Sequence, residues 1–488
     1  MTTFLIALAV LVGGYFTYGM LVEKIFGIDK NKPMPAYTRQ DGVDYIPLPT
    51  WRVFLIQFLN IAGLGPIFGA IMGIMYGPAA FLWIVLGTIF AGAVHDFISG
   101  MISIRAGGAS LPEIVGHELG GAIKQVMRVF SLALLILVGA VFVLQPANLV
   151  AALTPDILDT TFWVAVIFIY YILATILPID KLIGRLYPIF GFALLFMAVG
   201  IMGVLIVGDI VIPDGLLDGL HNRYPAETAD AHPIFPMMFV SIACGAISGF
   251  HATQSPMMAR CLKNERLARP VFYGAMVAEG IVALIWAAAA IAFTGGYEGL
   301  AQYVAEHGND SSSLLVNQIS ITWLGSIGGV LAILGVVAAP ITTGDTALRS
   351  ARLIAADFLR FDQSRLWKRL AISLPIFIMC YLVMQIDFMV LWRYFAWCNQ
   401  TLAVFTLWAV TVYLARHGKA YVITLFPALF MTVVSVSYIL YAPRPEGLGL
   451  SLSIAVGAGC LTAAIFGWLF FTYLRKLRAN KITTQYSY

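Results

Sequence analysis

The stretch that decides the fold runs from Pro236 to Arg260 and reads PMMFVSIACGAISGFHATQSPMMAR. It is long and apolar enough to cross a bilayer, yet glycines, Pro256 and the polar residues His251 and Gln254 interrupt it. A continuous membrane helix satisfies its own backbone groups, whereas a broken one leaves N–H and C=O groups free at membrane depth. Such groups persist where protein or a water-filled cavity satisfies them, and in membrane transporters they form binding sites. This stretch therefore predicts a binding site at a broken membrane helix.

The composition of the 488 residues is that of a membrane protein, with 60% hydrophobic and only 11% charged residues. Soluble domains carry about 25% charged residues, so soluble enzymes are excluded as a class. The five cysteines form no CxxC pair, and neither a disulfide framework nor a metal site is expected. The N-terminal sequence MTTFLIALAVLVGG has no basic leader, and we interpret it as a retained membrane span.

Apolar runs of about 20 residues predict thirteen membrane spans. Numbered in chain order, they cover 2–22, 51–76, 78–99, 128–150, 161–178, 186–208, 235–259, 271–294, 322–346, 370–386, 388–415, 420–441 and 450–474. The longest connections are 209–234 and 295–321, and the second is expected to hold a short surface helix. The chain is therefore predicted to be an all-α, multi-pass membrane protein without a soluble domain.

Basic residues indicate the orientation, because Lys and Arg are enriched in cytoplasmic segments. With the N-terminus outside, the alternation of thirteen spans places most of the 29 basic residues on the cytoplasmic side. The same arrangement leaves mainly acidic residues in the outer connections. We therefore expect an outer N-terminus and a cytoplasmic C-terminus.

A second broken helix, in span 2, indicates an inverted repeat. Span 2 is interrupted at Asn60–Pro66 and lies five spans before span 7, so the two cross the membrane in opposite directions. Glycine and proline are common in membrane helices generally, but two breaks at matching positions favour a transporter site. The prediction is a five-plus-five repeat at 51–208 and 235–415, with peripheral segments at 1–50 and 420–488.

Acidic residues at membrane depth are costly and indicate function. Asp345 follows Thr342 and Thr343, and this oxygen-rich segment suits a coupling Na+ or proton. The alternative is an ion pair between Asp345 and Arg349, one helical turn further on. Glu279 has no basic residue before it in span 8, so we expect a neutral carboxyl that serves either as a proton carrier or as a packing residue.

A third acidic residue, Asp96, is expected to pair with Arg105 and so clamp the inner loop after span 3. Its neighbour His95 points about 100° away around the helix, and the two side chains are not expected to face one ligand. The prediction for Asp96 and Arg105 is therefore a structural or gating role.

Polar residues and glycines around the two breaks are the expected substrate contacts. His251 and Gln254 suit contact with substrate or a proton, although a lone His is more often a core residue. Embedded amides are equally explained by helix–helix contacts. Helix N-termini freed after Pro66 and near Pro256 would favour a carboxylate on the ligand. The expected substrate-binding residues are Asn60, Gly63, Gly65, Gln145, Gly249, His251 and Gln254.

Four stretches of the chain resemble the carbon starvation protein A (CstA) family of bacterial inner-membrane transporters. They are NIAGLGPIFGA (60–70), HDFISGMISIRAGGASLPE (95–113), GAISGFHATQSPMMAR (245–260) and APITTGDTALRSAR (339–352). The resemblance implies uptake of peptides, or in some members of pyruvate, during nutrient limitation. This chain is shorter than the long members of the family, which leaves the choice between these substrates open.

The family also looks like a relative of the amino acid–polyamine–organocation superfamily, whose five-plus-five repeat agrees with the one inferred above. By analogy with that superfamily, a coupling-cation site is implied between the carbonyls of Ala62 and Gly63 and the side chains of Thr342 and Thr343. Carboxylates and hydroxyls are both present, so H+ and Na+ remain alternatives.

These features favour a cation-coupled secondary transporter of small carboxylate-bearing nutrients, with peptides first and pyruvate/H+ symport as the alternative. A membrane-embedded enzyme would need a catalytic cluster, and neither HExxH nor GxSxG is present. A sensor or channel would show a signalling domain or repeated pore motifs, which the sequence lacks. The expected partners are the solute, a coupling H+ or Na+ and the lipid bilayer, with no resident cofactor and no nucleic acid; the oligomeric state stays open.

Overall fold

The computed structural model describes residues 1–151, 154–155, 157–176, 183–208, 210–213, 219–308, 311–363 and 365–485. Within these ranges the chain forms helices and connecting segments and no strand, which confirms the predicted all-α fold. Parts of the connections 209–234 and 295–321, and the junction between spans 5 and 6, lie outside the described residues.

Ten helices in the described ranges are long and apolar enough to cross a membrane, although one of them, Ser311–Ala332, consists of two segments joined at a sharp turn. They are Thr2–Phe26, Ala79–Arg105, Gly121–Ala151, Tyr187–Val207, Glu265–Phe293, Ser311–Ala332, Leu366–Val383, Val390–Arg416, Val422–Tyr441 and Leu452–Ala479. The bent pair Thr50–Ala62 and Gly65–Ile74 would add an eleventh, and Thr160–Ala174 is a shorter apolar helix. Span 7 is divided into shorter pieces. Each predicted span contains helix, while the count of thirteen stays a prediction.

The boundaries of span 9 differ from the prediction because the chain turns back at Gly325. This residue has φ 62° and ψ −149° within the helix Ser311–Ala332. A Cβ on Gly328 would lie 1.9 Å from the carbonyl oxygen of Ser320, so the segments on either side of the turn fold against each other. The first segment is the short helix predicted before span 9. Span 9 itself starts just after the turn and extends to Leu359, beyond the predicted end.

Span 7 is broken as predicted, but the helix after the break begins at Gly249, before Pro256. Helical turns at Ile234–Met238 and Phe239–Ser241 are followed, after a non-helical segment, by the helix Gly249–Ala259. Gly245 has a φ of 92° within the break, a conformation that glycine adopts without steric cost. The freed N-terminus is therefore at the start of the last helix rather than near Pro256, which lies inside it.

Spans 2 and 7 touch along a stripe of glycines. The second half of span 2 carries Gly65, Gly69 and Gly73 at four-residue spacing, which places them on one helix face. A Cβ on Gly65 would lie 2.2 Å from the Cβ of Cys244, and one on Gly69 would lie 2.8 Å from the carbonyl oxygen of Ser241. Because small residues allow membrane helices to approach this closely, the two breaks are neighbours in space.

Span 8, the helix Glu265–Phe293, lies in the centre of the bundle. Its residues from Val282 to Ile291 are at most 1% exposed, and residues 287–290 are four consecutive alanines. The helix packs against both halves of span 2. Span 8 therefore brings Glu279, one turn before this buried segment, next to the break of span 7. There the carboxyl of Glu279 accepts a hydrogen bond from the N–H of Gly245.

Candidate functional site

Four fully buried ionisable side chains meet beside the break of span 7, and we call them the polar cluster: His95, Asp96, His251 and Glu279. Nδ1 of His251 lies 2.9 Å from Oδ2 of Asp96, and Nδ1 of His95 lies 2.7 Å from Oδ1 of the same carboxyl. Nε2 of His251 faces Oε2 of Glu279 at 3.4 Å. The cluster therefore joins spans 3, 7 and 8 through one imidazole placed between two carboxyls.

The polar cluster also holds the backbone of the break. Oε1 of Glu279 accepts a hydrogen bond from the N–H of Gly245 at 3.1 Å, and the hydroxyl of Thr88 donates to the carbonyl of Gly245 at 2.8 Å. Both backbone groups that the break frees at Gly245 are thus satisfied by side chains, as membrane depth requires. Glu279 is thus hydrogen-bonded through a neighbouring span, and its role as proton carrier or packing residue stays a prediction.

Two amides of span 11, the helix Phe388–Arg416, complete the support of the break. Oδ1 of Asn399 accepts from the N–H of Phe250 at 2.7 Å, which caps the helix that follows the break. Nε2 of Gln400 donates to the carbonyls of Phe239, before the break, and Ile247, within it, at 3.2 and 3.3 Å. These amides therefore join helices, which is one of the two roles that the sequence left open.

The predicted pair of Asp96 and Arg105 does not form. The two residues are nine positions apart on one straight helix, a separation of about 13 Å, so their side chains cannot meet. Nε and Nη2 of Arg105 each lie 3.1 Å from Glu265, and Nη2 also donates to the carbonyl of Gly27 at 2.6 Å. Arg105 does tie down segments at this end of the bundle, but through Glu265.

A second buried group joins span 9 to the first half of span 2, and we call it the threonine cluster: Asn60, Thr343, Asp345 and Thr346. The hydroxyl of Thr343 donates to the carbonyl of Leu59 at 3.0 Å. The hydroxyl of Thr346 donates to Oδ1 of Asn60 at 3.1 Å. The neighbouring Thr342 donates to Ala339 within its own helix at 2.7 Å.

Asp345 has a partner that the sequence analysis missed. The hydroxyl of Tyr187 donates to Oδ2 of Asp345 at 2.5 Å and lies 2.9 Å from the carbonyl oxygen of Thr342. Tyr187 stands before Pro188 at the start of span 6, where an aromatic residue would ordinarily be read as an interface anchor. The alternative partner Arg349 contacts Asp44 at 3.3 Å and donates to the carbonyl of Ala174 at 2.6 Å.

The break of span 2 lies against the threonine cluster. A Cβ on Gly63 would lie 3.2 Å from the ring of Phe142 and 3.4 Å from the hydroxyl of Thr343. Gly63 has a φ of 24°, and the preceding Ala62 is fully buried. The structure therefore brings Gly63 and Thr343 together, while the implied cation site stays a prediction.

The remaining predicted substrate contacts lie in different surroundings. Gln145 lines a cavity of about 100 Å³ together with Phe68, Trp392 and Arg393. Nε2 of Gln254 donates to Thr253 at 2.9 Å and to Ser350 of span 9 at 3.4 Å.

Gly65 and Gly249 are positions of close helix approach. A Cβ on Gly249 would lie 2.3 Å from the backbone nitrogen of Ala403 in span 11. Gly65 lies equally close to Cys244, as described above. Close helix packing therefore explains why both positions are glycine, without any contact to substrate.

Cys244 lies beside the polar cluster and adds a thiol to its imidazole and carboxyl groups. Sγ of Cys244, a ring nitrogen of His251 and a carboxyl oxygen of Glu279 all lie within 4.8 Å of one another. Among the described residues they are the group that could hold a metal ion. The imidazole and the carboxyl bond Asp96 and Gly245 through Nδ1 and Oε1, whereas Nε2 of His251 and Oε2 of Glu279 have no hydrogen-bond partner among the described residues.

Comparison with known proteins identifies the family. The family model described as carbon starvation protein CstA matches residues 1–157 and 153–324. The chain belongs to the CstA family. An uncharacterized membrane protein of Haemophilus influenzae is 44% identical to this CstA-family chain over 338 residues, which cover 60% of this chain and 91% of that protein.

Two curated relatives of this CstA-family chain have assigned functions. The peptide transporter CstA of Campylobacter jejuni is 28% identical, over 56% of this chain and 47% of its own length. The pyruvate/proton symporter BtsT of Escherichia coli is 28% identical, over 54% of this chain and 45% of its own length. The match thus spans about half the length of these named transporters.

Solved structures show the same overall fold. A mutant of the Eremococcus coleocola manganese transporter superposes with a TM-score of 0.52 at 13% identity, covering 90% of this chain and 99% of that one. A Na+-coupled sialic acid symporter superposes with a TM-score of 0.53 at 15% identity, and the match covers 94% of this chain and 96% of that one. At these identities the likeness concerns the fold alone, and membership of the wider superfamily stays a prediction. With its apolar helices and transporter relatives, this CstA-family chain is a multi-pass membrane protein.

Proposed function

We propose that this protein is a cation-coupled secondary transporter that takes up small carboxylate-bearing nutrients by alternating access. The observation that supports it most is the meeting of two broken helices, with the break of span 7 bonded to a buried carboxyl at Glu279. Broken helices at membrane depth form substrate and ion sites in secondary transporters. No catalytic residue and no resident cofactor belong to this proposal.

The proposed coupling ion is a proton bound by the polar cluster. As a carboxylate, Glu279 accepts the N–H of Gly245 and attracts a charged His251. Once protonated, the same carboxyl is a weaker acceptor and carries no charge. Arrival of a proton therefore loosens the bond that holds the break, which links protonation to movement of span 7. The alternative is Na+ at Gly63 and Thr343, and the experiment below separates the two.

Peptides are the first proposed substrate and pyruvate is the alternative, because relatives are named for both. Both carry a carboxylate, which is stabilised at a helix N-terminus. Asn399 already caps the helix after the span 7 break, so the proposed carboxylate contact is the second half of span 2, which starts at Gly65. Gln145, in the cavity beside Phe68 of that half-helix, is a proposed contact for the remainder of the solute.

The proposed setting is the bacterial inner membrane, with the N-terminus outside and the C-terminus in the cytoplasm. Two inverted repeats, 51–208 and 235–415, would move against each other around the two breaks. Residues 1–50 and 420–488 would be peripheral. The charge asymmetry of the sequence supports this orientation.

Transport by the full chain in proteoliposomes tests the proposal. Labelled dipeptides and labelled pyruvate are supplied separately, and pH and Na+ gradients are imposed one at a time. We expect concentrative uptake of one solute class, driven by the pH gradient and abolished when that gradient is collapsed. Uptake driven by Na+ alone would contradict proton coupling, and no uptake of either class under any gradient would contradict transport as proposed.

A further inference from the structure

A group of buried arginines lies at one end of span 9, away from the polar cluster. Arg349 and Arg352 are 0% and 1% exposed, and Arg260, at the end of span 7, is 7% exposed. Arg349 and Arg352 are three positions apart, so they lie on one face of the helix. We call these three residues the arginine cluster. Burial of several like charges needs anionic partners.

Three carboxyls interact with the arginine cluster, and among the described residues none of them hydrogen-bonds Arg352. Nη1 of Arg349 lies 3.3 Å from Oδ1 of Asp44, but Nη2 of Arg352 is 3.9 Å from Oδ2, too far for a hydrogen bond. Asp357 attracts Arg260, and Asp345 attracts Arg349 and Arg352, while Arg369 adds a further positive charge near Arg352. The described carboxyls therefore leave the guanidinium of Arg352 without a hydrogen bond.

Arg352 is the clearest sign of a missing partner. Its Nε, Nη1 and Nη2 are all buried, and none has a hydrogen-bond acceptor among the described residues. Arg260, by contrast, donates through Nε to the carbonyl of Gly108 at 3.0 Å and stacks its guanidinium on Tyr45. A planar guanidinium with free donors matches the two oxygens of a carboxylate or phosphate.

We propose that Arg349 and Arg352 bind a small oxyanion, a carboxylate or a phosphate, at this end of the bundle. Asp44 occupies the rim of the site, since its side chain is 15% exposed while the two guanidinium groups are buried. Its carboxylate competes with the ligand for the same donors. Removing the charge of Asp44 therefore favours the oxyanion, and removing the charge of Arg352 disfavours it.

Equilibrium binding to the full chain in detergent tests the site without any transport, so its failure is distinguishable from failure of the proposed function. Thermal unfolding is followed by intrinsic fluorescence while pyruvate or inorganic phosphate is titrated, with chloride at matched ionic strength as the reference. We expect Arg352→Gln to weaken oxyanion binding by about tenfold or more, the loss typical of a charged hydrogen-bond partner. Asp44→Asn is expected to strengthen it.

Arg360→Gln is the matched control, because Arg360 ends the same helix but is exposed. This variant is expected to bind the oxyanion as the unmodified chain does. A stronger response to pyruvate than to phosphate would assign the site to carboxylates, and the reverse would assign it to phosphates. The proposal is overturned if chloride stabilises the protein equally, if Arg352→Gln binds unchanged, or if neither oxyanion binds even to Asp44→Asn.

Discussion

Nδ1 of His251 lies 2.9 Å from Oδ2 of Asp96, so a single buried hydrogen bond ties the second half of span 7 to span 3. When this nitrogen donates to the carboxylate, Nε2 of a neutral imidazole is an acceptor. Nε2 faces Oε2 of Glu279 at 3.4 Å, and neither atom has a hydrogen-bond partner among the described residues. A neutral imidazole would pair with a protonated Glu279 and an imidazolium with an ionised one, so protonation of this pair would change the charge beside the break.

Replacing Glu279 by Gln should abolish gradient-driven uptake while leaving solute exchange measurable. The amide keeps the size and an acceptor for the Gly245 N–H, but it cannot carry a proton. Uptake and counterflow of the same labelled solute in proteoliposomes measure the two activities. Glu298→Gln, which changes an exposed carboxyl, is the control and should behave as the unmodified protein. Concentrative uptake in Glu279→Gln would remove this residue from the coupling role.

Replacing Thr343 by Val should leave uptake driven by the pH gradient. The isosteric change removes the hydroxyl that donates to Leu59 and faces Gly63, while the polar cluster is unaffected. A Na+ site at this place would lose an oxygen ligand, and uptake would then fall severalfold and respond to Na+ concentration. The test measures initial rates of solute uptake at varied Na+ concentration and a fixed pH gradient. A loss of uptake that depends on Na+ concentration would favour Na+ coupling.

The contact between Tyr187 and Asp345 should be energetically coupled in a double-mutant cycle of Tyr187→Phe and Asp345→Asn. A buried hydrogen bond to a charged group contributes about 1.5–3 kcal/mol, so the double variant should lose less stability than the two single losses combined. Unfolding in mixed micelles measures the three free energies. Tyr381→Phe, at an exposed position, is the control. Additive losses would mean that the two side chains do not interact.

Replacing Gly69 by Ala should destabilise the contact between spans 2 and 7. The new Cβ would lie 2.8 Å from a backbone oxygen, which cannot move as a side chain can, and such overpacking costs about 1–3 kcal/mol. Gly203→Ala is the control, since a Cβ there meets nothing within 4 Å and alanine is the better helix former. Thermal unfolding compares the stabilities of Gly69→Ala and Gly203→Ala. Equal stability of the two variants would show that the glycine stripe is not tightly packed.

The pH dependence of stability should include a contribution from Glu113, in the short helix Leu111–Leu119 outside the spans. Burial raises the pKa of Glu113, but hydrogen bonds from Lys124 and Arg128 and their charges lower it by more, so it lies below its usual value. A lowered pKa stabilises the fold above the unfolded value of about 4.3, and this contribution is lost as pH falls through the folded-state pKa.

Glu113→Gln should therefore lower the melting temperature at pH 7, and the difference from the unmodified protein should shrink below about pH 4. The effect is small, about 1 kcal/mol or less, because the carboxyl is 32% exposed. Melting curves from pH 7 down to about pH 2, below the folded-state pKa, measure it. A difference that stays constant over this range would contradict the ion-pair explanation.

Sequence reasoning succeeded where the signal is local. Glycines and prolines mark the two broken helices, and burial in hydrocarbon singles out Glu279 and Asp345. It failed where the partner of a side chain is remote: Asp96 was assigned to Arg105 on its own helix, and Tyr187 was not recognised at all. A tyrosine at the start of a span has the same appearance whether it anchors at the interface or bonds a buried carboxyl.

Composition and local backbone chemistry are enough to establish a multi-pass helical membrane protein with two interrupted helices. They are properties of short segments, because a bilayer demands apolar length and a glycine or proline breaks a helix wherever it stands. Which side chains meet is a matter of packing alone. His251 and Asp96 are 155 residues apart in the chain, and only the docking of span 7 on spans 3 and 8 places the imidazole between Asp96 and Glu279.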